Sequence, residues 1–298
     1  MKNILSFDVE DWNQLAYRRV TGRLLESCTD LYRQLDFVLQ VLADHATKAT
    51  FFVLGIVAEK HADLIRTIAK EGHEVASHGY AHLLVHQLSK AEFRHDTEKS
   101  RFLLEDIIGS PVEGYRAAEF SIRADSLWGL TTLAELGFKY DSSIFPVYHR
   151  RYGIPGFAPG VSHYHTAAGA RIVEIPLTSL PFCSVRVPVA GGGYFRLTPF
   201  PILRFALQKR LRSQQPLVTY FHPAEFDERR LSVFNSGKIT GWKGYLRGVF
   251  FNLHQNLGRR GMRHKLPKLM EHFRFTTCRN FLEEADPGDS TELLPIAS

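Results

Sequence analysis

The sequence has few cysteines and no long apolar run near its amino terminus. Its 298 residues include three cysteines, Cys28, Cys183 and Cys278, which are far apart and odd in number. They indicate neither a disulfide framework nor a thiolate zinc cluster, and a reducing compartment is the simplest interpretation. Acidic residues at positions 8, 10 and 11 leave no stretch long enough for a signal peptide or a membrane span. We therefore expect a soluble cytoplasmic protein.

The net charge of +6 is modest, but its basic residues gather in the last third of the chain. A solvated helix face is the plain interpretation of such clusters. The alternative is peripheral contact with the inner face of a membrane or with an anionic lipid-linked glycan. Because no nucleic-acid motif accompanies the charge, no nucleic-acid partner is expected. The clustered residues are Arg204, Lys209, Arg210, Arg212, Arg259, Arg260, Arg263, Lys265 and Lys268.

Short apolar segments alternate with longer amphipathic ones along most of the chain. Residues 3–7, 49–54 and 74–77 are predicted as buried strands with helices between them, a pattern typical of a parallel sheet. Further strands are predicted in 113–118, 138–141, 171–175, 217–223 and 274–277. Residues 1–285 are predicted as one domain, which includes a basic insertion around 226–261 of no assigned structure. Residues 286–298 are expected to form a frayed tail.

Polar residues follow the predicted strands at the ends where a barrel of parallel strands builds its site. His78 and His82 are four residues apart, so a helical turn would put both within about 2.1 Å of one cation. In an extended chain Asp8 and Glu10 face one side, whereas Asp11 faces the other. Two carboxylates on one side repel unless a cation or an arginine lies between them. The candidates are Asp8, Glu10, His78, Arg116, Asp141 and His222.

An ordered set of motifs resembles the polysaccharide deacetylases of carbohydrate esterase family 4, which share the NodB homology domain. The resemblance is greatest to the branch associated with exopolysaccharide production, whose members have a Phe-Asp-Val-Glu-Asp opening. It extends from residue 4 to about residue 285. The matching segments are residues 6–12 (SFDVEDW), 49–55 (ATFFVLG), 72–82 (GHEVASHGYAH), 114–117 (GYRA), 140–146 (YDSSIFP), 191–196 (GGGYFR) and 220–223 (YFHP).

The resemblance implies a distorted (β/α) barrel of about seven parallel strands that binds one divalent metal, usually zinc. It implies that His78 and His82 are ligands and that Asp8 is the catalytic base. Most relatives have two adjacent aspartates where this chain has Asp8-Val9-Glu10-Asp11. The alternation argument favours Glu10 as the third ligand, and Asp11 is the alternative.

Three further roles follow from the resemblance and the chemistry of the residues. His222 would protonate the departing amine, and Arg116 would keep Asp8 ionised and oriented. Asp141 would orient His222.

The sequence departs from the family where Ala118 replaces a proline and is followed by Glu119, an extra acid near the site. Four aromatic residues are candidates to stack on sugar rings, with core or loop packing as the alternative: Trp12, Tyr115, Phe120 and Tyr194.

The resulting hypothesis is a metal-dependent hydrolase that removes acetyl groups from an N-acetylated sugar. Its substrate would be a cell-surface polysaccharide or a lipid-linked or nucleotide-linked precursor. One alternative within hydrolases is attack on an O-acetyl ester or on a small cyclic amide or ureide. An alternative of another class is a glycan-binding protein that keeps the barrel without the metal, which the altered opening and Ala118 would suit.

Overall fold

The fold is that of a computed structural model that describes residues 2–23, 25, 28–189, 191–235, 239–284 and 294–295. Strands alternate with helices through the first half of the chain. The strands are β1 (Asn3–Val9), β2 (Thr50–Val53), β3 (Glu74–Ser77), β4 (Gly114–Tyr115), β5 (Tyr140–Asp141), β6 (Ser162–His165), β7 (Arg171–Glu174), β8 (Ser179–Phe182), β9 (Val185–Pro188), β10 (Val218–Phe221), β11 (Phe275–Thr276) and β12 (Leu294–Pro295).

The helices cover the faces and ends of the sheet. They are α1 (Trp12–Thr21), α2 (Asp30–Asp44), α3 (Gly55–Lys60), α4 (Ala62–Lys70), α5 (Lys90–Ile108), α6 (Trp128–Glu135), α7 (Gly192–Leu197), α8 (Phe200–Arg212), α9 (Trp242–Asn256), α10 (Met262–His272) and α11 (Cys278–Glu284). Among the residues that the structure describes, no helix is both long and apolar enough to cross a lipid bilayer.

The sheet contains a run of seven parallel strands in the order β10-β1-β2-β3-β4-β5-β7. Beyond β7 the sheet continues with β6, which is antiparallel to it, while β11 adds to the end of β1. The parallel run curls into a half-barrel, so the predicted distorted α/β barrel is confirmed in its class. Because parallel strands share their direction, the carboxyl ends of β1, β3 and β10 meet at one edge.

Aromatic side chains fill the space between the sheet and the outer helices. Phe7 stacks on Phe51 with ring centroids 5.2 Å apart and lies 6.1 Å from Phe221, its partner in the register of β1 and β10. These three side chains are fully buried. The apolar character predicted for the strands therefore reflects a sheet covered on its helical side.

The structure has elements in segments for which the sequence predicted none. Strand β6 lies between β5 and β7 along the chain, and Gly192–Leu197 form the short helix α7. The insertion predicted around 226–261 contains α9, which packs against α1. Residues 286–293 and 296–298 of the predicted tail lie outside the described residues, while Leu294–Pro295 pair with β6. The sequence pattern missed these elements because Gly and Pro between them mask their periodicity.

A buried carboxylate closes the end of the sheet opposite the candidate site. Glu74, which is 5% exposed, accepts hydrogen bonds from the hydroxyls of Tyr140 (2.8 Å) and Thr50 (2.7 Å). It also accepts one from the backbone N–H of Arg279 (3.0 Å), at the amino terminus of α11, where a negative charge is favourable. Glu74 therefore joins β2, β3 and β5 to the last helix.

We expect Glu74→Ala to lower the free energy of unfolding by about 3 kcal/mol, because it leaves three donors without their acceptor. Urea titration followed by circular dichroism measures this change. Glu71→Ala, which removes a neighbouring and exposed carboxylate, is the control and should change stability by less than about 0.5 kcal/mol. Equal losses in the two variants would contradict the assigned role of Glu74.

Candidate active site and metal centre

Glu10, His78 and His82 form a compact cluster at the carboxyl ends of β1 and β3. The Oε1 atom of Glu10 lies 2.9 Å from Nε2 of His78 and 3.0 Å from Nε2 of His82. One donor atom from each residue lies within 4.8 Å of the others. A carboxylate and two imidazoles are ligands that suit zinc, and three protein ligands are the usual number in a catalytic zinc site.

The environment of His78 fits a bound cation. Its Nδ1 atom donates to the backbone carbonyl of Arg116 at 2.7 Å, so a neutral ring presents the lone pair of Nε2 to Glu10. Two lone pairs that face each other at 2.9 Å require a proton or a cation between them. A backbone carbonyl on the second nitrogen is also the partner that metal-binding histidines commonly have. The residues present therefore fit the metal that the sequence predicts.

The electrostatics of the cluster follow from its burial and its charges. Burial alone would raise the pKa of Glu10, but the charge of His82 and hydrogen bonds from both imidazoles hold that pKa well below its ordinary value. Burial opposes the charged form of His78, and the carboxylates of Asp8 and Glu10 outweigh it and raise the pKa of His78. The cluster thus keeps a negative carboxylate beside groups that attract positive charge.

The segment from His78 to His82 is a bent loop and not the helical turn that the spacing suggested. Gly79 and His82 have left-handed backbones, with φ of 75° and 54°. The carboxylate of Asp96, on α5, accepts hydrogen bonds from the backbone N–H groups of Tyr80 (2.7 Å) and Ala81 (3.2 Å). Asp96 thereby holds the loop in a shape that brings both imidazoles to Glu10. Sequence reasoning missed Asp96, because its contact is made by backbone groups.

The amino terminus of α3 supports the same loop from the other side. The N–H groups of Gly55 and Ile56 donate to the carbonyls of Gly79 (2.9 Å) and Tyr80 (3.0 Å). A Cβ atom on Gly55 would lie 2.3 Å from the ring of Tyr80, which only glycine avoids. The glycine that ends the second strand therefore also makes room for the loop.

The two acids after Val9 have different positions. Glu10 lies with the histidines, whereas Asp11 caps α1 by accepting from the N–H groups of Asn13 (2.9 Å) and Gln14 (3.3 Å). It also accepts from the N–H of Cys28 at 2.5 Å. Glu10 therefore faces the histidines, whereas Asp11, the alternative ligand, caps α1. The assignment of Glu10 as a metal ligand stays a prediction.

Asp8 and Arg116 form a buried ion pair next to the cluster. Nη1 of Arg116 donates to Oδ1 of Asp8 and to Oγ of Ser6, each at 2.8 Å. The remaining guanidinium donors reach Ser142, with Nε 3.0 Å from its carbonyl oxygen and Nη2 2.9 Å from its hydroxyl. The side chain of Arg116 is fully buried, and its charge lies 4.0 Å from the ring of Phe52. The predicted contact between Arg116 and Asp8 is thus present.

Asp141 does not contact His222, so the predicted orientation of His222 by Asp141 is not what the structure has. Asp141 instead accepts hydrogen bonds from the hydroxyl (2.6 Å) and the N–H (3.0 Å) of Ser143. Among the described residues, no hydrogen bond or ion pair joins it to His222. The hydroxyl of Ser143 accepts from the N–H of Ala117 at 2.7 Å. Asp141 therefore supports the strand end that holds Arg116.

His222 follows β10 on the opposite wall of the cavity, with Nε2 3.8 Å from Oε2 of Glu10. About a third of its side chain is exposed. Its backbone N–H donates to the carboxylate of Glu225 at 3.3 Å, and Arg196 lies 3.7 Å from the same carboxylate. Burial raises the pKa of Glu225, while the charges of His222 and Arg196 oppose this change. Glu225, three residues after His222, is thus an acid in contact with its backbone, and sequence reasoning missed it.

A cavity of about 620 Å³ opens above these residues, a size typical of sites for small ligands. Three of the four predicted stacking residues line it: Trp12, Phe120 and Tyr194. Tyr115 does not line the cavity, so its predicted stacking on a sugar ring is corrected. Its side chain is 2% exposed and packs edge-on against Phe93 and Phe138. Glu119, the extra acid noted in the sequence, also lines the cavity.

That acid, Glu119, is paired with two arginines at the edge of the cavity. Its carboxylate lies 2.5 Å from Nη2 of Arg19 and 3.3 Å from Nη1 of Arg151. Its backbone is left-handed, with φ of 50°, and the same holds for Phe120, with φ of 55°. Such conformations are costly for these residue types and often occur at functional sites. Glu119 and Phe120 thus shape this edge of the cavity.

Two family models match the chain in consecutive segments. The first is described as polysaccharide deacetylase and matches residues 31–140. Residues 31–140 are thus similar to polysaccharide deacetylases. The second model, described as a domain of unknown function, DUF3473, matches residues 142–283. His222, Tyr194 and α9 belong to this second segment, whereas His78 and His82 belong to the deacetylase segment.

Two curated relatives are similar to short segments of this chain. A peptidoglycan-N-acetylglucosamine deacetylase of Bacillus cereus is 36% identical over 72 residues, which cover 24% of this chain and 26% of the relative. A chitooligosaccharide deacetylase of Rhizobium leguminosarum bv. trifolii is 53% identical over 45 residues, covering 15% of this chain and 21% of the relative. The chain thus matches about a quarter of the length of each of these relatives.

Among solved structures, a Mycobacterium smegmatis protein assigned as a polysaccharide deacetylase shares the fold. It has a TM-score of 0.61 and 18% identity, with 100% of this chain and 94% of that chain covered. Proteins of the deacetylase family act on N-acetylated glycans and are generally metal-dependent. His78 and His82 lie in the deacetylase segment, and Glu10 on β1 completes with them a group of side chains that could hold a metal ion.

We expect Asp96→Asn to weaken zinc binding by about 10-fold to 100-fold, because an amide cannot accept from both loop N–H groups as the carboxylate does. Competition with a chromogenic chelator measures the affinity. Asp106→Asn, at an exposed position on the same helix, is the matched control and should leave the affinity unchanged. An unchanged affinity in Asp96→Asn would show that the loop holds its shape without this carboxylate.

Proposed function

We propose that the protein is a metal-dependent N-deacetylase that hydrolyses the acetamide of an N-acetylated sugar to acetate and a free amine. The observation that carries the proposal is a candidate metal triad next to the ion pair of Asp8 and Arg116. Glu10 and His82 of the triad and Asp8 of the ion pair line one cavity. Three ligands leave a coordination position open, as catalytic sites require. An acid held outside the triad is then available for proton transfer.

Glu10, His78 and His82 would hold the metal. When bound, a divalent ion such as zinc supplies a Lewis acid that polarises the acetamide carbonyl and makes a water molecule more acidic. The chain's own contribution is the fixed geometry of the triad. The carbonyl of Arg116 orients His78, and Asp96 shapes the loop that carries His82.

Asp8 takes the proton as water attacks the carbonyl carbon. Its carboxylate is the base in this step, and Arg116 donates a hydrogen bond to it. The same contact holds one carboxylate oxygen in place, so the other is directed to the substrate. Arg116 is therefore a positioning residue that acts through Asp8.

His222 gives a proton to the sugar nitrogen as the carbon–nitrogen bond breaks. An amide nitrogen leaves poorly without a proton, so an acid is required on the side of the leaving group. Glu225 acts as its positioning residue by accepting from the backbone N–H of His222 and by adding a negative charge beside it. The products are acetate and a sugar amine.

The aromatic residues Trp12, Phe120 and Tyr194 are proposed to stack on the sugar rings, because apolar ring faces suit carbohydrate surfaces. The Phe-Asp-Val-Glu-Asp opening favours a role in exopolysaccharide production. We place the reaction in the cytoplasm on a lipid-linked or nucleotide-linked precursor, since the three cysteines are all free.

Incubation with N-acetylated oligosaccharides and sugar nucleotides should release acetate and primary amine in equal amounts, and dialysis against a chelator should stop this release until zinc is restored. Enzymatic acetate determination and amine labelling measure the two products. O-acetylated glycans and small cyclic amides or ureides are offered in parallel. Acetate from the ester alone would instead show an O-acetyl esterase, and opening of the ring alone would show a cyclic amide or ureide hydrolase. A protein that binds glycan but no zinc would be a binding protein.

Two variants separate metal binding from proton transfer. His78→Ala should lose both zinc and activity, because it removes a ligand. Asp8→Asn should keep zinc and lower turnover by at least about 100-fold, because an amide cannot act as the base. His264→Ala, at an exposed position on α10, is the control and should match the unmodified protein. An active Asp8→Asn protein would show that the base is another residue.

A further inference from the structure

Helix α9 carries large apolar residues on its solvent-exposed side. Trp242 and Phe250 are each 69% exposed, and the exposed set follows the spacing of one helical face. Apolar faces of this kind are normally turned to the core, and a large exposed patch usually marks an interaction surface. The exposed apolar face of α9 consists of Trp242, Tyr245, Leu246, Phe250 and Leu253, and is continued by Leu257.

The opposite side of α9 is small and polar, and it is firmly attached to the protein. The side-chain amide of Asn252 accepts from the N–H of Val233 at 3.0 Å, and that of Asn256 accepts from the N–H of Leu231 at 3.0 Å. Asn256 also donates to the carbonyl of Leu231 at 2.8 Å. A Cβ atom on Gly248 would lie 2.8 Å from the ring of Phe234. These contacts fix the rotation of the helix and turn its apolar face outward.

The charge around α9 has one sign. Between Glu228 and Glu271 the sequence has no acidic residue, whereas it has ten lysines and arginines. Lys243, Arg247 and Arg260 are exposed on or just beyond the helix. Basic residues beside an apolar helical face complement a surface that has an apolar interior and anionic groups at its boundary with water. The ten are Arg229, Arg230, Lys238, Lys243, Arg247, Arg259, Arg260, Arg263, Lys265 and Lys268.

A lipid surface matches this combination better than a second protein does. Tryptophan and tyrosine favour the boundary between lipid headgroups and acyl chains, and Trp242 and Tyr245 occupy the first turn of the helix. With 15 residues, α9 is too short to span a bilayer but long enough to lie along its surface. A second copy of this chain would bring the same positive charges together and would be repelled.

We propose that the exposed apolar face of α9 docks the protein on an anionic membrane, with the helix lying in the headgroup region. The docking goes beyond the proposed function and does not depend on it. The side of α9 next to the membrane-facing residues contributes Phe251, His254 and Gln255 to the lining of the cavity. A docked helix therefore brings the candidate site close to the lipid surface, where a lipid-linked glycan would be presented.

Flotation with vesicles tests the proposal without any measurement of activity. The full chain should float with vesicles of phosphatidylcholine and phosphatidylglycerol in equal amounts, and it should bind phosphatidylcholine alone much more weakly. High salt should weaken the binding, because the basic residues contribute to it. Absence of binding to the anionic vesicles would overturn the proposal, and it would leave the deacetylase hypothesis untouched.

Variants locate the contact. Trp242→Ser combined with Phe250→Ser should lower vesicle binding at least about tenfold, since two large apolar side chains no longer enter the lipid. Lys243→Glu combined with Arg247→Glu should lower binding to the anionic vesicles. Phe102→Ser removes an equally exposed phenylalanine from α5 and should bind as the unmodified protein does. Circular dichroism and thermal melting confirm that each variant is folded.

Light scattering tests whether a second copy of the chain, and not a membrane, covers the exposed apolar face of α9. The unmodified chain should be monomeric at micromolar concentrations without vesicles. A dimer that dissociates in the double serine variant would show that a second copy covers the face, and it would overturn the membrane proposal. Equal vesicle binding by the unmodified protein and the double serine variant would also overturn it.

Discussion

The rest of the site depends on the hydrogen bonds made by the buried guanidinium of Arg116. Removing a charged group from water costs several kcal/mol unless its donors are matched, and Arg116 is fully buried. Its donors reach Ser6 and Asp8 on β1 and Ser142 after β5, while its backbone carbonyl accepts from His78. One residue thus fixes the relative positions of three strand ends, together with a candidate base and a candidate ligand.

The acids behind Arg116 explain why its charge stays available to Asp8. Asp141 and Glu174 are neighbours in the register of β5 and β7, and both are fully buried. Burial and the nearby charge of Asp141 raise the pKa of Glu174 well above its ordinary value. This shift favours the protonated form of Glu174, so that carboxyl competes less for the positive charge of Arg116. The Asp141 carboxylate is in turn occupied by Ser143.

The two matched segments contribute different parts of the molecule. The deacetylase segment holds His78, His82 and the loop anchor Asp96. The second segment supplies His222 with Glu225, part of the aromatic lining and the outward-facing helix α9. Strand β1, which precedes both, brings Asp8 and Glu10 between them by pairing with β2 on one side and β10 on the other. The cavity is consequently lined by both segments and by residues that precede them.

Local periodicity determined much of this protein from its sequence alone. The strands that carry the site, the placement of polar residues at their carboxyl ends and the preference for Glu10 over Asp11 all follow from the alternation of side chains along an extended chain. Tertiary structure decided the partner of Asp141, the burial of Tyr115, the bend that joins His78 to His82 and the outward face of α9. Each of these depends on a contact between residues distant in sequence, such as Asp96 with Tyr80 or Asn256 with Leu231. No periodicity within one segment reports which distant backbone group a side chain will meet.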